Sequence, residues 1–228
     1  MEMPLTTSER VYRELRRMVF TGELAPGEKL VQRKLAGRLG VSAIPILEAT
    51  RRLERDGLVV SHANWGAQVQ RWTVEDVEGA YLAREALEGI CCRLFAQRAN
   101  DVQKAELVDL GRLFDERVRG HDPEGWLETD LALHTHIVRS TGASTLVHVT
   151  ESSCLITLTM RNAQRNLISS VALFPRAGVH DEMIGALLSG DAEAAERMGR
   201  SHIQRAYERL KTVAGEQSSA SVSKGENQ

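Results

Sequence analysis

Apolar residues recur at helical spacing from the start of the chain. Val11, Leu15, Met18 and Val19 fall on one face, after Ser8, which can cap such a helix, and before Thr21-Gly22, which stops it. Pro26-Gly27 makes a turn ahead of Leu30. Leu35 and Leu39 then give a second, shorter helix its apolar side, and Gly40-Val41-Ser42 turns the chain again. A third helix follows. Ser42 is a suitable N-cap, Pro45 sits in the first turn where its missing N–H does no harm, Leu53 faces inward, and Gly57 suits the left-handed position past the end. The pattern then alternates: Leu58-Val-Val-Ser61 and Ala67-Gln-Val-Gln70 read as two strands joined through His62-Ala-Asn-Trp-Gly66. Helix, tight turn, helix and hairpin together describe a winged DNA reader. The later helix of the pair is narrow enough for the major groove, and the hairpin can reach the adjacent groove or backbone.

From Thr73 onward the period stays helical. Thr73 offers an N-cap with Asp76 three residues later, and helices are expected near 74–98, 102–120, 123–140, 144–166, 172–189 and 191–213. Breaks fall at Asn100-Asp101, Gly120-His-Asp-Pro123, Thr141-Gly142, Ser169-Ser170 and Gly190-Asp191. Six antiparallel helices with short connections form a bundle. The fold class is therefore mainly α, with one small β-hairpin. Residues 1–72 form the winged helix, 73–214 an all-helical domain, and the small polar stretch 215–228 a disordered tail.

Charge sharpens this division. The 228 residues carry a net charge of −2, but residues 1–72 hold 12 Lys+Arg against 8 Asp+Glu and the rest 17 against 23. A mildly basic head on an acidic body suits a DNA reader joined to a sensor. No apolar run approaches the roughly 18 residues of a membrane span, and Arg10, Arg13, Arg16 and Arg17 in the first helix argue against a signal peptide. Cys91, Cys92 and Cys154 are odd in number and form no C-x-x-C, which fits helix packing in a reducing cytoplasm.

Residues 8–70 resemble the N-terminal domain of GntR-family bacterial transcription regulators. The likeness rests on Leu24-Ala-Pro-Gly-Glu-Lys-Leu30, Leu35-Ala36 with Leu39-Gly-Val-Ser42, Pro45 with Glu48-Ala49 and Arg52-Leu53, Gly57-Leu58-Val59, and Gly66-Ala67 with Val69. It implies a homodimer on operator double-stranded DNA, with contacts from Arg33, Arg38, Ser42, Ala43, Ile44, Pro45 and Arg51 and from His62, Trp65 and Gly66 of the wing. This chain departs from the family at the recognition helix, where Ala43 and Leu47 stand in the places usually held by arginine. Arginine gives bidentate contacts to guanine, so phosphate contact, by Arg33 above all, survives better than base reading.

The helical half resembles the ligand-sensing domain of the FadR subfamily, with a lean towards the VanR-like branch. Arg84 with Leu87-Glu88, Asp130-Leu-Ala-Leu-His134 before Ile137 and Thr141-Gly142, His180 with Ile184 and Gly190-Asp191, and finally His202 carry that likeness. Asp130 and His134, four apart, project from one face of a helix and could bite one ion. Seven histidines in a helical chain place some such pairs by chance, so the pair alone does not define a site. The resemblance adds His180 and His202. Three imidazoles and a carboxylate suit a divalent transition metal, Zn, Ni or Mn, with positions left open for an anion. The resemblance also implies that Arg84 meets the carboxylate of a small organic acid effector, a structural salt bridge with Glu88 being the other reading. Asn162, with Arg161 and Arg165, could border the cavity.

The expected function is a cytoplasmic, non-enzymatic DNA-binding transcription regulator that responds to a small carboxylate in a metal-containing helical domain. Two alternatives stay open. One is a metal-dependent hydrolase, with Glu88, Glu128 or Glu151 as possible bases. The other is a metabolite sensor whose winged helix has lost specific DNA binding.

Overall fold

The structure, a computed structural model, describes residues 5–63, 65–150 and 175–225. Two compact units divide between Val74 and Glu75.

In the first unit, α1 spans Thr7–Phe20, α2 Gln32–Leu39 and α3 Ala43–Arg55, followed by β1 Val59–His62 and β2 Gly66–Val69. The cap of α1 is Thr6, whose side chain accepts from the Glu9 N–H at 3.2 Å, rather than Ser8. Ser8 lies inside the first turn and donates instead to Glu48 on α3. Val11, Leu15, Met18 and Val19 are buried, as are Leu35, Ile46, Ala49 and Leu53 of the next two helices. Ser42 occupies the N-cap position of α3 without a side-chain cap bond. The end of α3 closes as a Schellman turn: Gly57 has φ +73°, its N–H reaches the Glu54 carbonyl at 3.0 Å, and Leu58 N–H reaches Leu53 at 2.9 Å. Leu58, wholly buried, enters the core directly from that turn.

The hairpin pairs Val59 with Val69 and His62 with Gly66. Residues 27–30 run along β2, with Leu30 N–H donating to Ala67 at 2.8 Å and Val69 N–H to Glu28 at 2.9 Å. The wing is thus tied to the turn after α1 as well as to its own partner strand.

In the second unit, α4 spans Val74–Arg98, α5 Asp101–Arg119 and α6 Pro123–Ser140, and α7 is described over residues 144–150. After them come α8, Asp181–Ser189, and α9, Ala192–Gly225. A capping box starts α5, where Asn100 and Gln103 satisfy each other's backbone N–H groups. Asp122 caps α6 by accepting from Gly125 at 2.9 Å. Helices α4 and α9 run antiparallel: Tyr81 stacks on Tyr207 at 4.9 Å, Gln204 donates to Glu85, and Arg93 pairs with Glu196 further along. Their close approach depends on Gly199, since a Cβ there would lie 2.6 Å from Cys92 Sγ. The core gathers Cys91, Cys92, Phe95, Leu107, Leu133, Ile137, Met183 and Leu187.

Two element boundaries differ from the pattern reading. The helix expected from 172 starts only at Asp181, because Pro175 and Gly178, at φ +80°, hold residues 175–180 out of helical register. At the other end the backbone stays helical to Gly225, into the stretch read as a disordered tail. A helix already nucleated upstream extends at little cost even through polar residues.

Candidate metal centre and nucleic-acid interface

His134 comes from the middle of α6, His180 from the N-cap of α8 and His202 from α9. All three are buried, and one ligand nitrogen of each lies within 4.8 Å of the others. Their ring centroids are 5.5, 5.2 and 4.7 Å apart in pairs. Asp130, one turn before His134, stands with Oδ1 3.3 Å from His180 Nε2. Asp130 therefore reaches the group through His180 and falls outside the three-imidazole cluster proper.

The donor set fits a transition metal. Buried imidazole nitrogens with a carboxylate oxygen nearby are donors that zinc, nickel and manganese accept. Burial, then the neighbouring His180 and His134, holds His202 well below the usual imidazole pKa. It is thus neutral, the form that coordinates. An aromatic wall backs the cluster: Phe114 meets His180 edge-on at 4.5 Å, and Trp126 packs behind Phe114.

Arg84 is also buried, on the inward face of α4, and its Nε donates to Glu88 Oε1 at 2.6 Å. The second oxygen of Glu88 lies 2.5 Å from His134 Nδ1. That approach is close, although the ring N–H is not aligned well enough to count as a satisfied bond. Burial alone would raise the Glu88 pKa, but the Arg84 charge and then His134 outweigh it and hold the carboxyl well below its usual range. The salt bridge with Glu88 is thus present. Glu88 is the residue that pattern reading undervalued. Its spacing from Arg84 is visible in sequence, whereas its meeting with His134 is a tertiary fact.

Asn162, Arg161 and Arg165 lie outside the described residues, as does Glu151. Of the other bases considered for a hydrolase, Glu88 is committed to Arg84 and His134, and Glu128 is exposed.

In the first unit, Arg33, Ser42, Ala43, Ile44, Arg51, His62, Trp65 and Gly66 are all exposed. Ile44 stands out as a large apolar side chain left 68% exposed in the first turn of α3. Pro45 is buried and so starts the helix rather than presenting a surface. Arg38 is exposed but pairs with Glu23, which also holds Arg17. At the wing, His62 and Trp65 pack edge to face at 5.5 Å, and Lys29 Nζ lies 5.0 Å from the Trp65 ring.

A family model for bacterial regulatory proteins of the gntR family matches residues 7–69, and one for the FCD domain matches residues 80–205. The chain belongs to the GntR family. This GntR protein is a DNA-binding transcription regulator with an FCD ligand-binding domain. It is 29% identical to a Streptomyces ambofaciens protein named as an uncharacterized HTH-type transcriptional regulator in an unstable DNA locus, over 91% of this chain and 86% of that one. It is 28% identical to the "Probable D-xylose utilization operon transcriptional repressor" of Paenarthrobacter nicotinovorans, over 81% and 80% of the two chains. The solved structure of E. coli McbR/YncC superposes with a TM-score of 0.78 at 18% identity, covering 92% of this chain and 99% of that one, a likeness of fold. Among the described residues no helix is long and apolar enough to cross a membrane.

Proposed function

We propose that this GntR regulator binds operator DNA as a homodimer and changes its affinity when a small carboxylate enters a metal-containing FCD domain. The observation that carries the reading is the buried trio His134, His180 and His202, with Asp130 at 3.3 Å from His180 and the Arg84–Glu88 pair adjoining His134. The three histidines, with Asp130 beside His180, would hold a divalent transition metal such as Zn, Ni or Mn. When bound, the ion supplies open coordination positions for an anionic oxygen. Arg84 would pair with the effector's carboxylate, for which a planar guanidinium fork gives both charge and direction.

Response then follows from linkage. The effector must bind the DNA-competent and DNA-incompetent arrangements unequally, and that difference alone sets the change in DNA affinity.

Calorimetry with hydroxy acids, sugar acids and dicarboxylates, on wild type and on Arg84→Ala and Arg84→Lys, tests this. D-xylose, after the relative named for its utilization, serves as the neutral comparator. The expected result is binding of an acid that Arg84→Ala abolishes and Arg84→Lys weakens. Binding of neutral ligands only, or acid binding indifferent to Arg84, overturns it.

A further inference from the structure

Glu88 is a buried carboxylate placed between two buried side chains: Oε1 accepts from Arg84 Nε at 2.6 Å, and Oε2 lies 2.5 Å from His134 Nδ1. The side chains of all three residues are at most 4% exposed. A carboxylate in such a place is costly unless it is paired on each side. Arg84 supplies one side. On the other, a bare imidazole lone pair this near the carboxylate oxygen would be repulsive, and a proton on Nδ1 makes the contact attractive. Neutral imidazole carries one N–H and one lone pair. A proton on Nδ1 therefore leaves the lone pair on Nε2.

We propose that Glu88 is a positioning residue for the histidine cluster: it selects the Nδ1–H tautomer of His134, turns Nε2 towards the coordinating group, and through its second oxygen joins that imidazole to Arg84. The inference rests on the metal reading above, but its tautomer statement stands apart from any ion. Carboxylates behind metal-binding imidazoles commonly orient the ring and raise its basicity, and their loss weakens metal binding by about 10–100-fold. Here the same carboxylate also holds the arginine expected to meet the effector. The two halves of the ligand site thus share one anion.

Glu88→Gln discriminates sharply. The amide keeps one acceptor, which Arg84 claims, and turns an NH₂ donor towards His134. Nδ1 must then accept, the proton moves to Nε2, and the lone pair for coordination is lost. Nitrogen-15 spectra of the imidazoles in full-length, metal-stripped protein read the tautomer directly. The expected result is Nδ1–H at His134 in wild type and Nε2–H in Glu88→Gln. Chelator competition with Zn²⁺, Ni²⁺ and Mn²⁺, each alone, should show 10–100-fold weaker binding by the variant.

Nε2–H at His134 in wild type overturns the proposal without recourse to any variant, which covers a Glu88→Gln protein that fails to fold. Equal metal affinities and an unchanged tautomer in a folded variant overturn it too. If wild type shows the Nδ1–H tautomer yet binds none of the three metals, the metal reading fails while the orienting role of Glu88 stands.

Discussion

Asp115 on α5 accepts the backbone N–H of Gly178 at 2.8 Å, and so ties the turn that delivers His180 to a helix of the bundle. The same carboxylate is braced by Arg119 one turn later. His180 is the member of the cluster that lies at the edge of a helix rather than within one, so its placement depends on this turn. Asp115→Ala should lower the melting free energy by about 1–2 kcal/mol, the cost of leaving a half-buried N–H without its acceptor. Metal affinity should fall with it. Asp115→Asn, which keeps the acceptor, should recover most of both. Chemical denaturation together with chelator competition checks this; full metal affinity in Asp115→Ala would show that the turn holds itself.

The unequal standing of Asp130 and the three imidazoles gives a second expectation. The histidines form the compact group, and Asp130 joins it through His180. His134→Ala should therefore remove more metal than Asp130→Ala. Elemental analysis of freshly purified full-length protein gives the comparison, with one ion per chain expected in wild type. Equal and complete loss from both variants would make Asp130 a full ligand, and undiminished metal in both would place the ligands elsewhere.

Much of this architecture was legible in the chain, and the failures have identifiable causes. The span of α4 and the wing hairpin followed from period and turn residues. Local pattern does not separate Thr6 from Ser8, both good N-caps; the Thr6 bond to Glu9 N–H and the Ser8 contact with Glu48 do. The late start of α8 was written in Pro175 and Gly178, yet the apolar period ran across them. At the site, the i, i+4 spacing of Asp130 and His134 was readable. Glu88 meeting His134 joins α4 to α6, and no local pattern records such a meeting.

The Tyr12 hydroxyl donates to Asp56 Oδ2 at 2.6 Å, bridging α1 to the end of α3, with Arg52 lying 3.8 Å over its ring. Burial first, and then the bond to Asp56, pushes the phenol pKa up to about 12. A raised pKa means that the folded head holds this proton more tightly than the unfolded chain. Its stabilising effect is complete below about pH 10, the free phenol value, and is lost as pH climbs through the folded value. Tyr12→Phe should cost about 1 kcal/mol at neutral pH, and the gap from wild type should close above pH 10. Denaturation of the full chain followed by a signal from the winged helix, at pH 8 and pH 11, makes the test. A gap that widens with pH would reverse the sign argued here.

Base reading by α3 must do without the arginines that the family resemblance implies at Ala43 and Leu47. Ala43 and Ile44 sit at the start of α3, and Ile44 presents an apolar side chain that is largely exposed. The major-groove feature that an aliphatic side chain reads is the thymine methyl. Selection from random duplexes should therefore enrich an A·T-rich palindrome, two-fold because the two heads of the proposed dimer would face opposite half-sites. Ile44→Asn should lower affinity for that palindrome by roughly fivefold or more, the scale of one lost base contact, while sparing non-specific binding. Arg33 should act differently. It is exposed at the start of α2 and suited to phosphate, so Arg33→Ala should weaken binding to every sequence alike and flatten the salt dependence by about one unit of slope. No enriched motif from the selection would mean that the head grips backbone only. A changed preference in Arg33→Ala would mean that Arg33, rather than Ile44, reads a base.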